Sequence, residues 1–393
     1  MDKKELLDTI ICGESSRIQF KADFKNSTQL AAEIVAFSNS GGGFILLGVN
    51  DDGGIAGLKA IDIGRLNQLV SNVASQSVRP PVNPITENIR LDEGLVMIIE
   101  IPAGISKPYM DNQGAIWVKS GADKRKVTAR EELQRLFQSE GLVYADEVPV
   151  FGSSMNDLDL PVFSDYYERR YEETLEESEL PLAQLLENLN LFRNTQLNLT
   201  GLLLFGKKPQ IRKPQFMVKA VVWPGNEIDV EHYIDSQDIT GNMKAVFEQT
   251  LAFITRNLHR LQQGQGVNSQ GKLEIPKIVL EEIVVNALMH RDYFIARPIM
   301  VFMYDNRIEI TSPGHLPNNL TTENIRFGVS NMRNPVLISH ASHLLPYKGL
   351  GTGIRRAFRA WKMIELVDDR ENNQFKVIIK RPEKIKKDFI IKY

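Results

Sequence analysis

With 393 residues, 42% of them hydrophobic, and a formal charge of −2, the chain has the balance of an ordinary globular protein of about two or three domains. Six histidines and one cysteine, Cys12, exclude an internal disulfide, offer no zinc-ligand spacing and fit a reducing cytoplasm. No stretch approaches the roughly 18 apolar residues of a membrane helix, so no membrane partner is expected. The first residues, MDKKELLDTI, are charged and predict no secretory signal.

In the first 140 residues, Ile18 to Phe24 alternates and then breaks, and Ser27 is placed to cap a helix over Leu30–Phe37. Gly41, Gly42 and Gly43 lead into an apolar strand over 44–49, a turn at 50–54 and a short return over 55–58. Strands follow over 94–101 and 115–119, then a helix over 129–138. Lys119, Lys124, Arg125, Lys126 and Arg130 gather near Trp117. A basic strand and turn with an aromatic ring can follow phosphates and stack a base, and a solvated loop accounts for the same charges.

The runs ESSRIQFK, IVAFSNSGGGFILLGVNDDGGIAGL and KPY…AIWVKSGADKRKVTAREEL resemble the AlbA-like domain of the Schlafen group over residues 1–140. The resemblance implies nucleic-acid binding, with Trp117, Lys119, Lys124, Arg125 and Lys126 as the contact residues. Schlafen endoribonucleases hold a divalent metal with three acids. Glu14 matches the first and Asp51 or Asp52 the last, while the middle one falls on Gln19. A neutral amide does not supply the charge that holds a hard cation, so a nuclease is not expected.

Residues 141–272 read as an α+β connecting region without visible chemistry. Helices are predicted over 163–177, 182–191 and 241–261, buried strands over 202–206 and 216–223, and a loop over 262–271.

From Pro276 the pattern is more specific. IPKIVLEEIVVNALMHRDY reads as a core-packed helix opened by Pro276, with Glu282 and Asn286 one turn apart on one face. An amide oxygen there can ligate Mg²⁺, and a carboxylate can accept a proton from water. Strands over 298–304 and 307–311, joined at Asp305-Asn306, run into a turn at Ser312–Pro317. Gly349, Gly351 and Gly353 follow Lys348 and open a helix over 355–363, where backbone N–H groups can approach an anion. A last strand is predicted over 375–380.

The order of helix, hairpin, long loop and glycine turn resembles the GHKL ATPase (Bergerat) fold. EEIVVNALMHRDY, ITSPGHLP, RNP and GLGTGIRRAF look like the divergent GHKL domain of RecG-related proteins and transcription regulators. The resemblance makes Glu282 the water-activating base, Asn286 the Mg²⁺ ligand and Gly349, Gly351 and Gly353 the phosphate cradle. It makes 315–348 a lid from which Arg333 reaches a terminal phosphate. Ser312 and Gly314 mark the adenine end. Ser312 stands where most GHKL enzymes carry an Asp, which leaves base selectivity open.

No G-x-x-x-x-G-K-[ST] is present, so a P-loop helicase is excluded, and His290-Arg291-Asp292 lacks the Asn of a kinase catalytic loop. Lys380, Arg381, Lys384, Lys386, Lys387 and Lys392 make a basic tail over 381–393 and the residue before it. Relatives carry a winged helix after the GHKL part. Here DNA contact is expected from the first domain or the tail. The whole chain reads as α+β: an AlbA-like domain (1–140), the connector (141–272), a GHKL α/β sandwich (273–380) and the tail. The expected protein binds ATP and Mg²⁺, hydrolyses ATP slowly if at all, self-associates, and binds nucleic acid, DNA before RNA, as a regulator of transcription. A metal-dependent endoribonuclease and an interaction module with vestigial sites are the alternatives.

Overall fold

The computed structural model describes residues 1–139, 142–261, 271–317, 320–329 and 331–382. Lys384, Lys386, Lys387 and Lys392 of the tail, and most of the 262–271 loop, lie outside them. The chain is of the α+β class and divides into two compact units, 1–143 and 144–393.

The first unit opens with α1 (Lys3–Cys12), fixed by a capping box in which the Glu5 amide donates to Asp2 Oδ1 at 2.8 Å and the Asp2 amide to Glu5 Oε2 at 2.9 Å. Strand β1 (Ile18–Lys21) pairs in parallel with β2 (Gly43–Leu47) across helix α2 (Ser27–Asn39). Asn26 caps α2, one residue before the expected Ser27, accepting from the Thr28 amide at 2.8 Å. Helix α3 (Ala60–Asn72) and strands β3 (Ile85–Arg90) and β4 (Leu95–Ile101) complete a sheet of order β1-β2-β4-β3. Period-2 alternation buries both of its faces. Ile45, Leu47, Met97 and Ile99 meet Leu30, Ile34 and Leu66, while Leu46, Val96 and Ile98 meet Leu6 and Ile10 of α1. The expected return over 55–58 forms isolated bridges rather than a strand. Strands β5 (Trp117–Ser120) and β6 (Asp123–Lys126) make the basic hairpin, followed by α4 (Arg130–Ser139).

The second unit contains α5 (Leu160–Tyr171), α6 (Leu182–Asn188) and α7 (Leu199–Phe205). Helix α7 corrects the strand expected over 202–206. Asn198 caps it, accepting from the Gly201 amide at 2.8 Å, and Gly201 lies so close to the Leu191 carbonyl that a Cβ would stand 2.4 Å from it. A short apolar run has no period of its own, and the cap decides its type. Then come β7 (Val218–Val222), β8 (Asp235–Ile239), α8 (Met243–Arg256), α9 (Lys277–His290), β9 (Ile299–Met303) and β10 (Arg307–Pro313). Helices α10 (Thr322–Arg326), α11 (Pro335–Ala341) and α12 (Gly353–Ala360) precede β11 (Ile364–Asp369) and β12 (Gln374–Lys380). The sheet order is β8-β7-β9-β10-β12-β11, with β7 and β9 parallel and the other neighbours antiparallel. Two of its strands thus come from the 141–272 stretch read as a connector. One hydrophobic core runs from α5 through α9 to β12.

Asp146 is fully buried and accepts from the Leu337 amide at 2.8 Å, tying the start of the unit to α11. Burial pushes its carboxyl up to about 6, against the pull of that hydrogen bond. The fold therefore holds a proton that the unfolded chain has lost, and stability declines as pH rises from about 4 to about 6. Asp146→Asn is expected to flatten this slope in pH-dependent thermal denaturation. A net gain of about 1–2 kcal/mol at pH 7 is expected, since relief of the buried charge is partly offset by an amide N–H₂ that gains no acceptor.

Candidate functional site

Helix α9 is apolar on nearly every side, with Val279, Leu280, Ile283, Val284, Leu288 and Met289 buried. Glu282 is the exception, a carboxylate with a side chain 4% exposed. Isolated charges are not kept in such places, and this one is paired: Arg356 of α12 places Nη2 at 2.6 Å from Glu282 Oε1. Burial raises the Glu282 pKa and Arg356 opposes it. One turn on, Asn286 Nδ2 donates to the Glu282 carbonyl at 2.6 Å, which turns its amide oxygen to a different side.

Glu282 and Asn286 face a cavity between α9, β10 and the turn into α12. Ser312, Gly314, Arg333, Lys348, Gly349, Gly351 and Gly353 line the same cavity, so all the residues expected for nucleotide binding are brought together. Its far wall is apolar, with Ile310, Leu316 and Val377. The glycines are there for close approach. A Cβ on Gly351, whose φ is +67°, would stand 2.2 Å from the Gly328 carbonyl oxygen, and one on Gly353 would stand 2.2 Å from Glu282 Oε2.

Several lining groups have partners in the protein. Ser312 Oγ donates to the Ala287 carbonyl at 3.1 Å. His290 Nε2 lies 2.7 Å from the Tyr347 hydroxyl, and burial with the nearby Arg333 charge pushes the imidazole down to about 4, so it is neutral. Arg333 Nη2 donates to the His315 carbonyl at 2.8 Å and Nη1 faces the His290 carbonyl at 3.4 Å. Asn334, fully buried, donates from Nδ2 to the Met289 and Arg291 carbonyls at 2.9 and 3.0 Å. The RNP segment is thus a brace that satisfies the carbonyl end of α9 and fastens the later part of the expected lid. Arg291 is also structural, its guanidinium 4.8 Å from the Phe216 ring centre and 4.9 Å from that of Tyr293.

Two of the hairpin's basic side chains are met by carboxylates of α2 and α4. Lys124 Nζ meets Glu33 Oε1 at 2.6 Å, and Arg125 grips both oxygens of Glu132 at 2.8 and 2.6 Å. Lys119 Nζ donates to Gln19 Oε1 at 2.8 Å and to the Ala122 carbonyl, and lies over the Phe37 ring. Burial lowers the Lys119 pKa, against the charges of Glu33 and Glu14. Trp117 is half-buried, its Nε1 donating to Asp111 Oδ2 at 2.8 Å. Lys126 is exposed.

Glu14 Oε1 accepts from the Phe20 amide at 2.8 Å and from Gln19 Nε2. Asp51 pairs with Lys21 at 3.0 Å and Asp52 accepts from the Gly54 amide at 2.8 Å. Among the described residues, no group of three or more His, Cys, Asp or Glu side chains is placed to hold a metal ion. Nor is any described helix long and apolar enough to cross a membrane.

Sequence reasoning missed Arg356 and Glu33. An Arg in a basic helix looks like a solvated face, and Glu33 is visible only as the one charge inside the apolar run LAAEIVAF.

Family models match the chain in three places: "Schlafen, AlbA_2" over residues 14–128, "Putative ATP-dependent DNA helicase recG C-terminal" over 296–379, and a domain of unknown function over 134–219. The second match takes in β9 to β12 and the glycine turn and begins after α9. Comparison with curated proteins gives no match. Among solved structures, the DIP2311 protein of Corynebacterium diphtheriae aligns over 96% of this chain and 80% of its own, at 18% identity and a TM-score of 0.45. The N-terminal domain of a RecG-related protein from Nitrosomonas europaea aligns over 32% of this chain and 94% of its own, at 22% identity and a TM-score of 0.24. The chain carries a Schlafen AlbA_2 domain followed by an ATPase-like domain of the recG C-terminal type.

Proposed function

We propose that the second unit binds ATP with Mg²⁺ in the α9–α12 cavity, and that the chain is a nucleic-acid-binding regulator of transcription whose DNA affinity depends on nucleotide state. The cavity carries this reading, because its one buried carboxylate and its glycine turn meet where a Cβ would leave no room. Gly349, Gly351 and Gly353 would cradle the phosphates at the start of α12, with Lys348 adding charge. The Asn286 oxygen would be the protein's ligand to Mg²⁺, a cation that takes its remaining oxygens from phosphates and water. Bound ATP would supply a phosphoanhydride, and Glu282 the group that accepts a proton from water. Slow turnover is expected while Arg356 holds that carboxylate.

The base end supports adenine. With its proton given to the Ala287 carbonyl, the Ser312 hydroxyl offers only acceptor lone pairs, which at the 6-position suit the amino group of adenine and not the carbonyl of guanine.

Nucleic-acid contact is assigned to the first unit, with Arg125 and Lys126 exposed on its hairpin and Lys119, Lys124 and Trp117 supporting them. Nucleotide-dependent self-association belongs to the same reading. The test is fluorescence anisotropy of DNA and RNA duplexes over a series of salt concentrations, with and without Mg·ATP. Retention that changes severalfold with ATP is expected, and Lys126→Ala should lower the salt slope by about one. ATP-independent affinity overturns the coupling. No retention at low salt overturns nucleic-acid binding.

A further inference from the structure

We propose that Arg356 is a phosphate-binding residue of this cavity, held on Glu282 in the empty site and handed to the phosphates beyond the first when a nucleoside triphosphate enters. The inference rests on the nucleotide-site reading and adds to it a residue and an order of events.

The geometry has three parts. First, the pair is unequal: the Glu282 side chain is 4% exposed and that of Arg356 43%, so one end is fixed in the core and the other borders open space in the cavity. Second, Glu282 Oε2 lies where a Cβ of Gly353 would be, against the first turn of α12. That is the place a helix offers to an anion, and the protein's own carboxylate sits at its edge. Third, a planar guanidinium fits a phosphate as well as it fits a carboxylate, and two N–H donors can take two oxygens of either. A phosphate of higher charge, arriving beside the glycine turn, competes with Glu282 for the same donor.

The exchange has a consequence for Glu282. Arg356 is the charge that opposes the rise of its pKa, so release of Arg356 leaves the carboxylate a better proton acceptor. Binding of the phosphates and arming of the base become one event. Arg333, fastened to the His315 carbonyl at 2.8 Å, has less freedom to serve in this way.

The experiment titrates ATP, ADP and AMP with Mg²⁺ against the full chain and its Arg356→Gln and Arg356→Lys variants, by calorimetry and thermal shift. For Arg356→Gln, ATP affinity is expected to fall at least about tenfold, with AMP affinity little changed, and Arg356→Lys to recover part of the loss. A merely structural pair would lower all three together. Should Arg356→Gln unfold because Glu282 is orphaned, the Glu282→Gln/Arg356→Gln double variant restores neutrality, and the ATP-to-AMP ratio is read there. An unchanged ratio in a folded variant overturns the proposal while leaving the nucleotide site standing. Absence of any nucleotide binding by the wild type overturns the site, and the role of Arg356 with it.

Discussion

Gly351→Ala is expected to abolish nucleotide-dependent stabilisation and to lower the melting temperature of the second unit. At φ +67° an alanine costs about 1–2 kcal/mol in backbone strain alone. The added Cβ would also meet the Gly328 carbonyl oxygen at 2.2 Å, and a backbone atom has little room to yield. The turn must then open away from residue 328, and the cradle opens with it. Gly353→Ala makes the informative partner. Gly353 has no positive φ, and its Cβ would meet the end of the Glu282 side chain rather than backbone. It should retain more stability than Gly351→Ala while disturbing the Glu282–Arg356 pair. Thermal denaturation with and without Mg·ATP separates the two, and equal behaviour of both variants would contradict this account of the turn.

Lys124→Ala is expected to destabilise the first unit by about 2–3 kcal/mol, chiefly through what it leaves behind. The Glu33 side chain is 3% exposed, and Lys124 Nζ holds its Oε1 at 2.6 Å. Its Oε2 has no hydrogen-bond partner among the described residues. Removing the ammonium strands a buried carboxylate, which costs more than the pair was worth. The value is set below that of a fully buried pair because a quarter of the Lys124 side chain is exposed. Chemical denaturation gives the loss, and Glu33→Gln/Lys124→Ala should recover most of it. If Lys124→Ala instead leaves stability intact and weakens nucleic-acid binding, the lysine is a contact residue and the compensated hairpin is the wrong description.

These two sites show what the sequence could and could not carry. Helix α9, the β9–β10 hairpin and the glycine turn were legible because each has a local signature: helical periodicity, a two-residue turn, and glycines opening a helix. The nine residues that the GHKL resemblance assigned to the nucleotide line one cavity. Signs of charge were legible in the hairpin, but their partners were not. Lys124 meets Glu33 across 91 positions and Lys119 meets Gln19 across 100, and no local pattern announces a pairing over such a separation. The run LTGLLLF has neither period, so only the Asn198 cap fixed it as helix. Strands β7 and β8 looked like part of a connector because parallel pairing of β7 with β9 joins residues about 80 positions apart. Arg356 was hidden by its neighbours, since Arg355, Arg356 and Arg359 together read as a solvated face.

The most direct test of the central claim is the thermal stability of the full chain with Mg²⁺ and either ATP or GTP, repeated on Asn286→Ala. Binding to the native state alone raises stability by about 2.7 kcal/mol at a hundred times Kd. The account predicts a saturable shift with ATP, a smaller one with GTP because Ser312 offers an acceptor to the 6-amino group of adenine where guanine has a carbonyl, and loss of the Mg²⁺-dependent part in Asn286→Ala. No shift with either nucleotide in the wild type would contradict it, leaving the cavity between α9 and α12 as scaffold without a ligand.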